Sequence, residues 1–121
     1  MKIHGDLLPV RLPVSWISDS NNKIIIEYEK KFSKFERLLS IILKSPKTIK
    51  RPLDEMNSEL WLLMDGNNDL NNIIEKMTNK FNEQIIPAED RITVSILQFM
   101  ELGLVTIVTD FDQVNWDIKL D

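Results

Sequence analysis

Residues 53–108 read LDEMNSELWLLMDGNNDLNNIIEKMTNKFNEQIIPAEDRITVSILQFMELGLVTIV. This stretch decides the fold. Asp54 is a good N-cap for a first helix, in which Met56, Leu60, Leu63 and Met64 share one face, with Trp61 beside them. Asp65-Gly66 closes that helix, glycine being suited to a left-handed cap. Asp69 caps a second helix. Its stripe of Leu70, Ile73, Ile74, Met77 and Phe81 is the clearest periodic signal in the chain. Pro87 fits the first turn of a third helix, Gly103 ends it, and Leu104–Val108 is strand-like.

Three short amphipathic helices followed by a strand are the layout of a winged helix-turn-helix. Upstream, Val14–Ile17 and Lys23–Glu29 read as strands about the turn cluster Asp19-Ser-Asn-Asn22, which makes a hairpin. Ser33 with Glu36 has the capping-box pattern, and Phe35, Leu38, Leu39 and Ile42 follow at helical spacing. A basic amphipathic helix over about 33–44 is expected there, ended by Ser45-Pro46. Lys47–Arg51 returns as a third strand, which Pro52 keeps from being a long central one. The expected fold is therefore α+β: a winged helix-turn-helix with a small N-terminal antiparallel sheet and an inserted amphipathic helix. One domain is expected over 1–121, with 1–13 an irregular lead-in. Residues 54–108 form the tri-helical core and strand, and 109–121 an acidic tail, either a last strand or a docked extension.

Composition narrows the function. The chain has 121 residues, 43% hydrophobic and 28% charged, which suits one globular domain with a real core. It has no cysteine, so disulfides and thiol catalysis are excluded and a cytoplasmic setting is the expectation. The N-terminus lacks a signal-peptide pattern, and no apolar run is long enough to span a membrane. His4 is the single histidine, and no ligand cluster accompanies it, so no metal is expected. Glu89-Asp90 and Asp54-Glu55 sit where acidic residues favour helix starts. With three glycines there is no phosphate loop. Neither catalysis nor a cofactor is expected.

The net charge of −4 is segregated. Residues 23–51 hold nine basic side chains (Lys23, Lys30, Lys31, Lys34, Arg37, Lys44, Lys47, Lys50, Arg51) against three acidic ones (Glu27, Glu29, Glu36), a net of +6, leaving −10 for the rest. Such a segment suits an acidic partner, a phosphate surface or the acidic half of its own fold.

The motifs resemble those of the PqqD family. Leu53-Asp54, a small residue at Ser58, then Leu60-Trp61-x-Leu63-x-Asp65-Gly66 is similar to the family's start and first helix. DLNNIIEKMTNKF resembles its second helix, and ITVSILQFMELGLV its closing segment. Together these cover about half of the chain. The resemblance implies a small winged-helix domain akin to the recognition elements that bind leaders of ribosomal precursor peptides and present them to a modifying enzyme. It implies that a peptide adds as a strand to the third strand of the N-terminal sheet and packs on the third helix. The site residues so implied are Thr48, Ile49, Lys50 and Arg51, with Val94, Leu97 and Glu101 facing the ligand. Lys50 and Arg51 would favour an acidic leader. The inserted helix departs from the short members of the family, which join their second and third strands tightly.

Each feature also has a plainer reading. On the third helix, Ile92, Ile96, Phe99 and Met100 are expected in the core. Val94 and Leu97 are either a groove wall or are covered by the inserted helix, the hairpin or the tail. Trp61 and Trp16 are expected in the core, and Trp116 either packs the tail down or anchors a partner. DNA binding is the rival function, but the third helix has Arg91 as its only basic residue against Glu89, Asp90 and Glu101, and phosphate contacts dominate DNA affinity. A protein or membrane-surface adaptor using the basic inserted helix is the other alternative.

Overall fold

The computed structural model describes residues 3–29 and 48–118. The expected inserted helix over 33–44 lies outside the described residues. The described part is α+β, with three helices and two small antiparallel sheets. The strands are β1 (Leu8–Arg11), β2 (Ser15–Ser18), β3 (Ile24–Glu29), β4 (Thr48–Pro52) and β5 (Val105–Val108). The helices are α1 (Glu55–Leu63), α2 (Leu70–Phe81) and α3 (Ala88–Glu101).

The expected hairpin is present as β2 and β3, with Trp16 opposite Ile26. Its turn is held by Asp19, whose carboxylate accepts from the N–H groups of Asn21 and Lys23. Strand β4 adds antiparallel to β3, with Arg51 opposite Ile26 and Ile49 opposite Tyr28. Alternation puts the buried Ile24 and Ile26 on the side facing the helices.

Helix boundaries follow the chemistry of their caps. Asp54 accepts the Asn57 N–H at α1, and Asp69 with Asn72 forms a reciprocal capping box at α2. Gly66 takes φ +87°, and a Cβ there would lie 2.5 Å from the Phe111 ring, so only glycine fits. In the α2 stripe, Leu70, Ile73, Met77 and Phe81 are buried and Ile74 is half-buried. Ile92, Ile96 and Phe99 of α3 join the same core, and Met100 packs half-buried against it.

Trp61 is fully buried, with the Phe99 ring 5.5 Å away and Trp16 edge-on at 6.4 Å. Trp16 itself is half-buried. Ser58 joins sheet to helix, since its buried hydroxyl accepts from the Ile24 N–H at 2.9 Å and donates to the Leu53 carbonyl at 3.4 Å.

One segment differs from the sequence expectation, and in another one of two alternatives is realised. The lead-in over 1–13 is not wholly irregular. Leu8–Arg11 forms β1 and pairs with β5, Leu8 opposite Val108. Pro9 is tolerated because its side of β1 faces away from β5. The Leu12 N–H goes to Leu104 across the pair, whereas the Arg11 N–H goes to Met64 on the other side. Of the two alternatives for the tail, its described residues, 109–118, take the docked extension rather than the strand. The tail makes one 3-10 turn at Phe111–Gln113 and then runs as an extension docked against β1.

Candidate functional site

The expected site is the edge of β4 beside α3. Among the described residues β4 pairs only with β3. Hydrogen bonding alternates along an antiparallel pair. Leu53 donates to the Ile24 carbonyl at 2.8 Å, so Arg51 and Ile49 also turn their main-chain groups toward β3. The N–H and C=O of Lys50 therefore point to the outer edge. Pro52 has the same outward parity, and its missing N–H costs the ladder nothing there.

Side chains alternate as well. Arg51 shares the helix-facing side with the buried Ile26, and the half-buried Ile49 shares it with Tyr28. Lys50 lies on the opposite face with Ser15, Ile17, Ile25 and Glu27, around a hollow of about 120 Å³. Ile17 is 56% exposed there.

A groove of about 250 Å³ runs between the end of β4 and α3. One wall is Arg51, Pro52 and Leu53; Asp54 and Asn57 of the α1 start follow. The other wall is Ser95, Gln98, Phe99 and Leu102. Of the expected site residues, Arg51 lines this groove. Val94, Leu97 and Glu101 do not. At about 100° per residue, Ser95, Gln98 and Leu102 occupy one helix face and Val94, Leu97 and Glu101 the next face round. Val94 is 54% exposed, Leu97 is half-buried against the core, and Glu101 is exposed. The spacing of Ser95, Gln98 and Leu102 is the available signal, but with two polar residues of three it looks like any partly solvated helix face.

Elsewhere most polar groups around the end of α1 pair with one another, although the buried indole N–H groups of Trp16 and Trp61 find no partner among the described residues. Arg11, 2% exposed, reaches the C-terminal end of α1. Its Nη1 donates to the Trp61 carbonyl at 2.6 Å and the Leu62 carbonyl at 3.0 Å, and its Nε to the Ile118 carbonyl at 3.1 Å. The guanidinium carbon lies 5.2 Å from the Trp16 ring centre and 5.9 Å from that of Trp61. Burial pulls this group below the ordinary arginine pKa, and the Asp65 charge acts the other way. Asn68 donates to the Leu63 carbonyl, and the Arg11 N–H takes that of Met64. The carbonyls of Trp61, Leu62, Leu63 and Met64 at the end of α1 are thus satisfied. The Trp116 indole donates to the Arg11 carbonyl at 2.7 Å, which packs the tail down. Arg11 is not singled out by the sequence, whereas packing of the tail is one of the two readings given for Trp116.

Among the described residues no three His, Cys, Asp or Glu side chains cluster as metal ligands would. His4 contacts Asp6 at the surface. No described helix is long and apolar enough to cross a membrane. No family model matches the chain, and no curated protein or solved structure matches it.

Proposed function

We propose that the chain is a non-catalytic peptide-recognition domain of the PqqD-like, winged-helix type. It takes an extended peptide, such as the leader of a precursor, as a further strand on β4 and presents it to a modifying enzyme. One observation carries this reading: the Lys50 N–H and C=O face outward beside a groove walled by α3. Strand addition needs such a row of main-chain donors and acceptors for affinity, and adjacent side-chain pockets for selection. Lys50 and Arg51 favour an acidic guest. The acidic character of α3, with Glu89, Asp90 and Glu101 against Arg91, disfavours DNA as the ligand.

The test compares two prolines by peptide capture from a random dodecapeptide display library on the full chain. Lys50→Pro removes an outward N–H and leaves the β3 ladder intact. It is expected to weaken capture tenfold or more with a small change in Tm. Ile49→Pro removes an inward ladder bond and is expected to destabilise the fold. Capture that is unchanged by Lys50→Pro, or no capture by the parent chain, contradicts strand addition.

A further inference from the structure

The β2-β3-β4 sheet has a second edge, at β2. Among the described residues β2 pairs only with β3. The Asp19 N–H goes to the Lys23 carbonyl at 2.8 Å, across that pair, so Ile17 and Ser15 also turn their main-chain groups toward β3. Those of Trp16 and Ser18 point outward. The two edges are protected differently. A charge, a proline or a bulge on an edge strand keeps it from pairing with another copy. Strand β4 carries Lys50, Arg51 and Pro52. Strand β2, Ser15-Trp16-Ile17-Ser18, has no charge and no proline, and its register with β3 is unbroken. Its Ile17 is 56% exposed.

We propose that β2 is the docking surface for a second copy of this chain, the two β2 strands pairing antiparallel about a two-fold axis between Ile17 and its counterpart. The inference does not depend on strand addition at β4. The register follows from the outward groups. With Ile17 on the axis, Trp16 of each copy lies opposite Ser18 of the other, and the main-chain donors and acceptors of both residues are all used. With Trp16 on the axis instead, Ser18 would face Val14, whose N–H already goes to the Leu12 carbonyl at 2.8 Å. Ile17 then meets its counterpart in the close, non-hydrogen-bonded pair on the outer face, next to Ile25 and the hollow there. Ser15 lies opposite Asp19, so no like charges face each other. The joined sheet runs β4-β3-β2-β2-β3-β4, a closed pair that leaves both β4 edges outermost. The short edge makes the dimer weak and reversible.

Sedimentation velocity on the full chain, from about 5 to about 500 µM, should show a monomer–dimer equilibrium. Ile17→Lys sets two ammonium groups against each other across the axis. It should weaken dimerisation by about tenfold or more, with little change in the monomer's Tm. Ser18→Pro removes an outward N–H from each copy and should weaken it too, whereas Lys50→Pro, on the other edge, should leave it unchanged. The chain has no cysteine, so Ile17→Cys supplies one thiol per copy. Across a non-hydrogen-bonded pair the Cα atoms lie about 4.5 Å apart, within disulfide reach. Mild oxidation should link Ile17→Cys as a dimer and leave Ser15→Cys, whose counterpart lies about 13 Å away along the strands, unlinked. A chain that stays monomeric over this range, or that links no faster through Ile17→Cys than through Ser15→Cys, overturns the proposal. So does a dimer indifferent to Ile17→Lys. A large fall in the monomer's Tm with Ile17→Lys also overturns it, since the chain itself would then cover the edge.

Discussion

The two ends of α1 are finished in opposite ways. At its C-terminal end, the Arg11 side chain, Asn68 and the Arg11 N–H take the carbonyls of Trp61, Leu62, Leu63 and Met64, and the tail is drawn in by Trp116. At its N-terminal end, the groove passes Asp54 and Asn57, and the neighbouring Lys50 main chain points outward. A buried polar group without a partner costs on the order of 1–3 kcal/mol. The first end is therefore built for stability. The second, among the described residues, leaves the outward main-chain groups of Lys50 unpaired, as the proposed strand addition requires. A cut at the clasp should reach stability, and a cut at the groove should reach binding.

The largest stability effect is expected at Arg11→Met. The substitution strips partners from three carbonyls and a cation from between two indoles, and should cost about 3 kcal/mol in chemical denaturation. A loss below about 1 kcal/mol would mean that water replaces the guanidinium freely and that the clasp is not a stability element. Ser58→Ala comes next, at about 1–2 kcal/mol, because it leaves the buried Ile24 N–H without an acceptor. Trp116→Phe keeps a ring but loses the bond to the Arg11 carbonyl and should cost about 1 kcal/mol. At the groove, Val94→Ala should fall within about 0.5 kcal/mol of the parent, as befits an exposed side chain. A larger loss would place Val94 under a covering segment.

The smallest effect is expected at Lys80→Ala. The Lys80 ammonium sits 2.8 Å from Glu59 on the surface, a pair worth about 0.5 kcal/mol or less. The hydrogen bond to Glu59 raises the Lys80 pKa above its ordinary 10.5. The pair's contribution is therefore complete below that pH and fades as pH rises through the raised value. A thermal melt at pH 7 and at high pH reads it directly.

How much of this was legible in the sequence depends on range. The α2 stripe, the caps at Asp54 and Asp69 and the hairpin turn are local, and each is where its residues predict. Strand β1 was not legible, because Pro9 and Pro13 read as breakers and its partner β5 lies about a hundred residues away. Arg11 was equally opaque. One arginine in Leu8-Pro-Val-Arg11 gives no hint that it will be buried, since its acceptors are carbonyls at 61, 62 and 118. For the groove, β4 was found from its β-branched residues and from Pro52. The groove is lined by the helix face next to the one that hydrophobicity picks out: Val94 and Leu97 draw attention in the sequence, whereas the walls include Ser95 and Gln98.

Amide hydrogen exchange at Lys50, with and without a captured peptide on the full chain, is the most direct trial of the account. The Ile49 and Arg51 amides face β3 and should be slow in both states. Lys50 should exchange fast alone and slow at least tenfold when the peptide binds. If a bound peptide leaves Lys50 fast, or Lys50 is already as slow as its neighbours in the free chain, then β4 offers no open edge and strand addition is wrong.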